Sequence, residues 1–113
     1  MQTTLNTVIT FLIAFTVSTV LADDSLVLPK DARAIIASRC IDCHGADTAE
    51  GDVRLDTLST MKLEARLELL NKVQEQLYFN EMPPKDADQP SKTEHAQLAD
   101  WVAKELDKHE ASK

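Results

Sequence analysis

Two cysteines and a histidine stand together at Cys40-Ile41-Asp42-Cys43-His44, and the chain has no other cysteine. A Cys-x-x-Cys pair serves three chemistries: thiol–disulfide exchange, zinc binding and covalent haem attachment. Thiol exchange is normally run from a strand end that opens a helix in a βαβ unit, and no such context surrounds these residues. Zinc would need two further ligands from His44, His95 and His109. His95 and His109 are 14 positions apart on one expected helix, so no second closely spaced pair exists and each reads as an exposed helix residue. Covalent haem explains more of the pattern. Cysteines three apart project from one side of a helical turn, where each sulfur can bond one vinyl group of the porphyrin. His44, next in the chain, then offers its imidazole to the iron.

A second axial ligand has a candidate in Met82, which precedes Pro83-Pro84. A residue before proline is pushed toward extended backbone, and the two prolines stiffen the loop beyond it. Such a loop can hold a thioether sulfur in place; the competing reading is a loop methionine covering the core. A Met/His pair favours ferrous iron and raises the potential. Met61, at the start of a helix, reads as a core residue.

The elements that must position these groups are read from pattern. A first helix is expected over Asp31–Cys40, with Asp31 as its cap and Ala32, Ile35 and Ile36 on one face. A polar loop, His44 to Asp52, holds both glycines, Gly45 and Gly51. "VRLDTLS" reads as a short extended or turn segment. A second helix is expected over Met61–Phe79, where Leu63, Leu67, Leu70, Val73 and Leu77 recur at helical spacing and charged residues fill the other face. Asn80 to Pro90 holds three of the four prolines and cannot be helical throughout. A last helix starts at Ser91, where Ser91 and Glu94 fit a capping box, and carries Leu98, Trp101, Val102 and Leu106 as its apolar stripe. No convincing strand is present. The chain reads as one small all-α domain.

The first 22 residues carry no charged side chain, and every Lys, Arg, Asp and Glu lies at Asp23 or beyond. Their apolar run, Val8 to Ala22, is roughly 15 residues, short of the about 20 a spanning helix needs. With Val20-Leu21-Ala22 at its end, it resembles a secretory signal peptide over residues 1–22, cut after Ala22. An uncleaved N-terminal membrane anchor is the alternative. The remainder, 23–113, is the expected domain, with its core at about 31–106. Small domains usually need a staple. Aromatic content of 4% supplies little bulk for a core, and a disulfide between residues three apart would constrain almost nothing. A net charge of −7 argues against nucleic acid as a partner.

"CIDCH", "GDVRLDTLS", "EMPPKD" and "LADWVAKEL" together resemble the planctomycete-type cytochrome c domain, a branch of the small class I-like cytochromes c. The resemblance runs from about Asp31 to Leu106. It implies a helical fold around one covalent haem c, attached at Cys40 and Cys43, with His44 as proximal and Met82 as distal ligand. It also implies that the last helix packs on the first, bringing Trp101 and Leu98 near Ile36. The sequence departs from the pattern in places. Small cytochromes c often carry Gly and an aromatic where this chain has Ala32 and Ile36. The family's usual pair of glycines before the "LRLD"-like stretch is Gly51-Asp52 here. Arg54 is expected either to pair with a haem propionate or to form a plain surface ion pair with Asp56 or another carboxylate.

These expectations converge on a periplasmic one-electron carrier, with a redox protein as partner and neither enzymatic activity nor a small-molecule substrate. A haem-based sensor or small-ligand binder, with Met82 displaceable, is the alternative. A zinc-stapled interaction module survives only without haem.

Overall fold

The computed structural model describes residues 12–16 and 26–110. The expected leader lies outside those residues apart from 12–16, and so does its cleavage point at Ala22. Among the described residues there are three α-helices and no strand: α1 (Lys30–Arg39), α2 (Leu63–Tyr78) and α3 (Lys92–Glu110). No helix among them is long and apolar enough to cross a membrane. Two single turns of 3-10 helix, Glu50–Asp52 and Leu58–Thr60, punctuate the link between α1 and α2.

α3 is the central element, since both other helices pack on it. α2 runs antiparallel to it. At one end His95 Nε2 lies 3.1 Å from the Leu77 carbonyl oxygen. At the other, Leu67 shares a surface hollow with Leu106 and Glu110. The end of α1 is tied to the start of α3 by an Arg39–Glu94 ion pair at 3.5 Å. The buried core joins Ala32, Ile35 and Ile36 of α1 to Leu70 and Leu77 of α2 and to Leu98, Trp101 and Val102 of α3. Trp101 and Leu98 therefore share one core with Ile36, as expected. Ala32 is small enough to be buried in that core, and is 2 % exposed.

Helix ends differ from expectation by one or two residues, for local reasons. α1 begins at Lys30, and Asp31 lies in its first turn without capping it. Pro29 takes the cap position, and its carbonyl accepts the Arg33 N–H at 2.9 Å. Proline suits a helix start because its missing N–H would have no partner there, and Asp31 complements the positive end of the helix. Cys40 falls just beyond the last helical residue. α2 begins at Leu63, because Met61 is extended (φ −69°, ψ 148°); Met61 still packs against the core. α3 starts as expected: the Glu94 N–H donates to Ser91 Oγ at 3.0 Å, and the Ser91 N–H donates to Glu94 Oε1 at 2.9 Å.

Two buried side chains, Arg66 and His109, correct the sequence reading. Arg66 is 1 % exposed on α2, although the sequence pattern turns the charged residues there toward solvent. Glu105 and His109 of α3 are buried as well. His109, expected to be exposed, has its Nε2 3.3 Å from Glu105 Oε1. The reason is the length of the α2–α3 contact, which continues past Leu106 to the last turn of α3. His95, also expected to be exposed, is half-buried against the end of α2.

Candidate functional site

The backbone after α1 makes one further turn. The Cys40 N–H donates to the Ile36 carbonyl at 3.0 Å, and the His44 N–H donates to the Cys40 carbonyl at 2.9 Å. Cys40, Cys43 and His44 therefore share a single backbone turn, with positions 40, 43 and 44 on one side of it. Both cysteines are free thiols; Cys40 is half-buried and Cys43 exposed. Gly45 comes next because nothing larger fits. A Cβ there would stand 2.5 Å from the Ile41 carbonyl oxygen.

The loop then folds back over the histidine. The Glu50 N–H donates to the Cys43 carbonyl at 2.8 Å, and the Leu55 N–H donates to the His44 carbonyl at 2.7 Å. Gly51 and Asp52 both take left-handed backbone, with φ of 61° and 60°. These are the two positions where the family pattern has glycines, and the conformation is one that glycine adopts freely and aspartate tolerates. The turn delivers the Val53 carbonyl oxygen to 3.2 Å from His44 Nδ1. A carbonyl only accepts, so the proton resides on Nδ1. Nε2 is left with its lone pair for a metal, the arrangement in which metal-bound histidines are usually held.

Arg54 lies next. Its Nε donates to Asp56 Oδ1 at 3.0 Å and its Nη2 to Asp56 Oδ2 at 2.6 Å. Of the two expectations for Arg54, the structure contains the ion pair with Asp56. The bidentate contact holds the Asp56 carboxyl below its ordinary range, the hydrogen bond being the largest cause, and raises Arg54 correspondingly.

Met82 is on a separate loop, between α2 and α3. Its side chain is 40 % exposed, close in sequence to Tyr78 and Phe79, which are also exposed. Those two rings meet edge to face, with centroids 5.1 Å apart. Each of these exposed apolar side chains would gain by burial against an apolar group. The Met82–Pro83 peptide is cis.

This donor set can be weighed against the three chemistries. Thiol exchange needs a thiolate. Burial, with Cys43 adding a smaller contribution, instead pushes the Cys40 thiol up to about 11. Cys40 also sits at the negative end of α1, opposite to the helix N-terminus that activates redox cysteines. For zinc, no group of three or more His, Cys, Asp or Glu side chains among the described residues is arranged to hold a metal ion. His95 and His109 are engaged elsewhere in the bundle. Two thiols in one backbone turn, an imidazole with Nε2 free beside them in the chain and a separate loop bearing an exposed thioether fit a covalently attached haem.

Sequence reasoning identified Cys40, Cys43, His44 and Met82 by type and spacing. It missed the Val53 carbonyl, since a backbone acceptor leaves no mark in residue type. It also missed Leu55 and Leu58, both buried in the core from the loop beneath the site.

Residues 40–86 match the family model described as Planctomycete cytochrome C. The match spans every candidate site residue and leaves α1 and α3 outside it. No curated protein and no solved structure matches the chain.

Proposed function

We propose that this chain, whose residues 40–86 match the family model described as Planctomycete cytochrome C, is an exported one-electron carrier with a single haem c. The bound group supplies a reversible one-electron iron couple. Cys40 and Cys43 provide the two thioether sulfurs. His44 through Nε2 and Met82 through its sulfur would bind the iron of that group. The observation that carries the reading is the His44 arrangement: an imidazole in the same turn as both thiols, with Nδ1 committed to the Val53 carbonyl at 3.2 Å.

A thioether stabilises the reduced state relative to a harder ligand. Held by both His44 and Met82, the iron would have no place for a substrate, which favours a carrier over an enzyme. A redox protein is its partner. The charge-free leader supports export to the periplasm, where haem would be attached, with cleavage after Ala22; sequencing of the mature N-terminus should begin at Asp23.

Substitution at Met82 tests the ligation. The ferric protein should show the weak sulfur-to-iron band in the red, and Met82→Ala should abolish it, admit carbon monoxide to the ferrous form and lower the potential. His95→Ala and His109→Ala should leave the band in place. A native ferrous protein that binds carbon monoxide rapidly, with no spectral change in Met82→Ala, would replace the carrier with the sensor reading.

A further inference from the structure

We propose that Gln89 is a positioning residue for Met82: its side-chain amide gathers the backbone of the methionine loop and governs how readily the thioether leaves the iron. The inference rests on the Met82 ligation proposed above. The segment from Asn80 to Pro90 has little regular structure, so whatever fixes it must be local.

Its upstream end is fixed by the end of α2. The Glu81 N–H donates to the Gln76 carbonyl at 2.9 Å and the Asn80 N–H to the Leu77 carbonyl at 3.2 Å. Asn80 is left-handed, with φ 54°. This is a Schellman termination, with asparagine in the position most often taken by glycine. Met82 is the residue directly after it. At the downstream end, the Ser91–Glu94 capping box opens α3.

Between these anchors, Pro83 and Pro84 have no N–H to donate. Gln89 supplies what they lack. Its Nε2 lies 2.7 Å from the Pro84 carbonyl oxygen, 3.1 Å from that of Ala87 and 3.2 Å from that of Pro83. A primary amide has two N–H donors, so three carbonyls share them. The Ala87 N–H also donates to the Pro84 carbonyl at 2.9 Å. Residues 83–87 thus curl around one nitrogen atom, immediately after the proposed ligand. Gln89 itself is exposed and outside the core, so its contribution is to the loop rather than to the helical body.

Methionine has a flexible side chain and a neutral, weakly basic sulfur. Its hold on ferric iron depends on the backbone bringing it back to the same point after each excursion. Removing the amide frees the carbonyls of Pro83, Pro84 and Ala87 together, and the loop that carries Met82 gains freedom.

The test uses the haem-loaded protein and four side chains at position 89. Imidazole binding to the ferric form, which requires Met82 to leave, should be strengthened about three- to tenfold by Gln89→Ala, the range expected for losing one or two net hydrogen bonds. Gln89→Glu, a carboxylate facing three carbonyl oxygens, should be at least as strong in effect. Gln89→Lys, with three donors, should restore most of the parent behaviour. A merely structural role would move the thermal midpoint, whereas here the midpoint stays near the parent's and the red sulfur-to-iron band and imidazole affinity change. In the apoprotein, the Gln89 side-chain amide protons should exchange more slowly than those of a free amide. If the parent shows the band and neither Ala nor Glu alters imidazole affinity, the Gln89 assignment is overturned while Met82 ligation stands. If the parent lacks the band, the ligation reading falls, and this inference falls with it.

Discussion

His44 Nδ1 and the carbonyl oxygen of Val53, nine positions further along the chain, lie 3.2 Å apart. Gly51 and Asp52, in left-handed backbone just before Val53, form the turn that makes the approach. The imidazole is therefore oriented by the chain itself. Its remaining nitrogen is determined by a backbone group, and no substitution of the Val53 side chain would remove that acceptor.

Asp52 occupies a glycine conformation without being glycine. A left-handed L-residue costs about 1–2 kcal/mol, and a glycine gives back about 0.4–1 kcal/mol through the unfolded chain. Asp52→Gly should therefore stabilise the protein by about 0.5–1 kcal/mol. Asp52→Val, β-branched and strained at positive φ, should destabilise it. Urea denaturation of the two variants should give opposite signs; the same sign would show that the turn is not under this strain.

Gly45 is fixed by close approach rather than by φ. The Cβ of Gly45→Ala would meet the Ile41 carbonyl oxygen at 2.5 Å, and that atom belongs to the backbone of the attachment turn. The substitution should cost about 1–3 kcal/mol, as overpacking does, and should displace His44. Chemical denaturation and the yield of haem-loaded protein should fall together. An Ala variant of parental stability and yield would mean the turn has room that the geometry denies it.

The start of α3 should give a pH-dependent contribution. The backbone hydrogen bond from Ser91, ahead of all other causes, holds the Glu94 carboxyl below its ordinary value. A lowered carboxylate stabilises the fold above its unfolded value, about pH 4.3. That contribution is lost as pH falls through the lower folded value. The stability gap between parent and Glu94→Ala should be full at neutral pH and should shrink progressively below about pH 4.3. Ser91→Ala, which removes the other half of the capping box, should cost about 1 kcal/mol. Thermal melts at neutral and acid pH would show both effects, and a gap independent of pH would refute the first.

Much of this fold is legible because the sequence carries it as type and period. Cys40, Cys43 and His44 declare themselves by spacing, and Leu70, Leu77, Leu98, Trp101 and Val102 by helical recurrence. The apolar stripe of α2 is plain in the sequence, whereas the burial of Arg66 is not. A charged side chain off the stripe normally faces water, yet Arg66 is 1 % exposed in the fold. Leu55 and Leu58 enter the core from a non-periodic loop, so no pattern marks them. His109 is buried because α3 keeps its contact to its last turn, which apolar periodicity ending at Leu106 does not reveal. The Gln89 clamp depends on three backbone carbonyls converging, a property of the fold alone.

The central claim is that the turn Cys40–His44 carries haem through two sulfurs. The most direct measurement is the intact mass of the protein made with haem-attachment machinery, taken before and after acid–acetone extraction. A mass exceeding that of the polypeptide by one haem, with the colour retained on the protein after extraction, is the predicted result. A colourless protein of polypeptide mass, or colour that passes into the acetone, would contradict it.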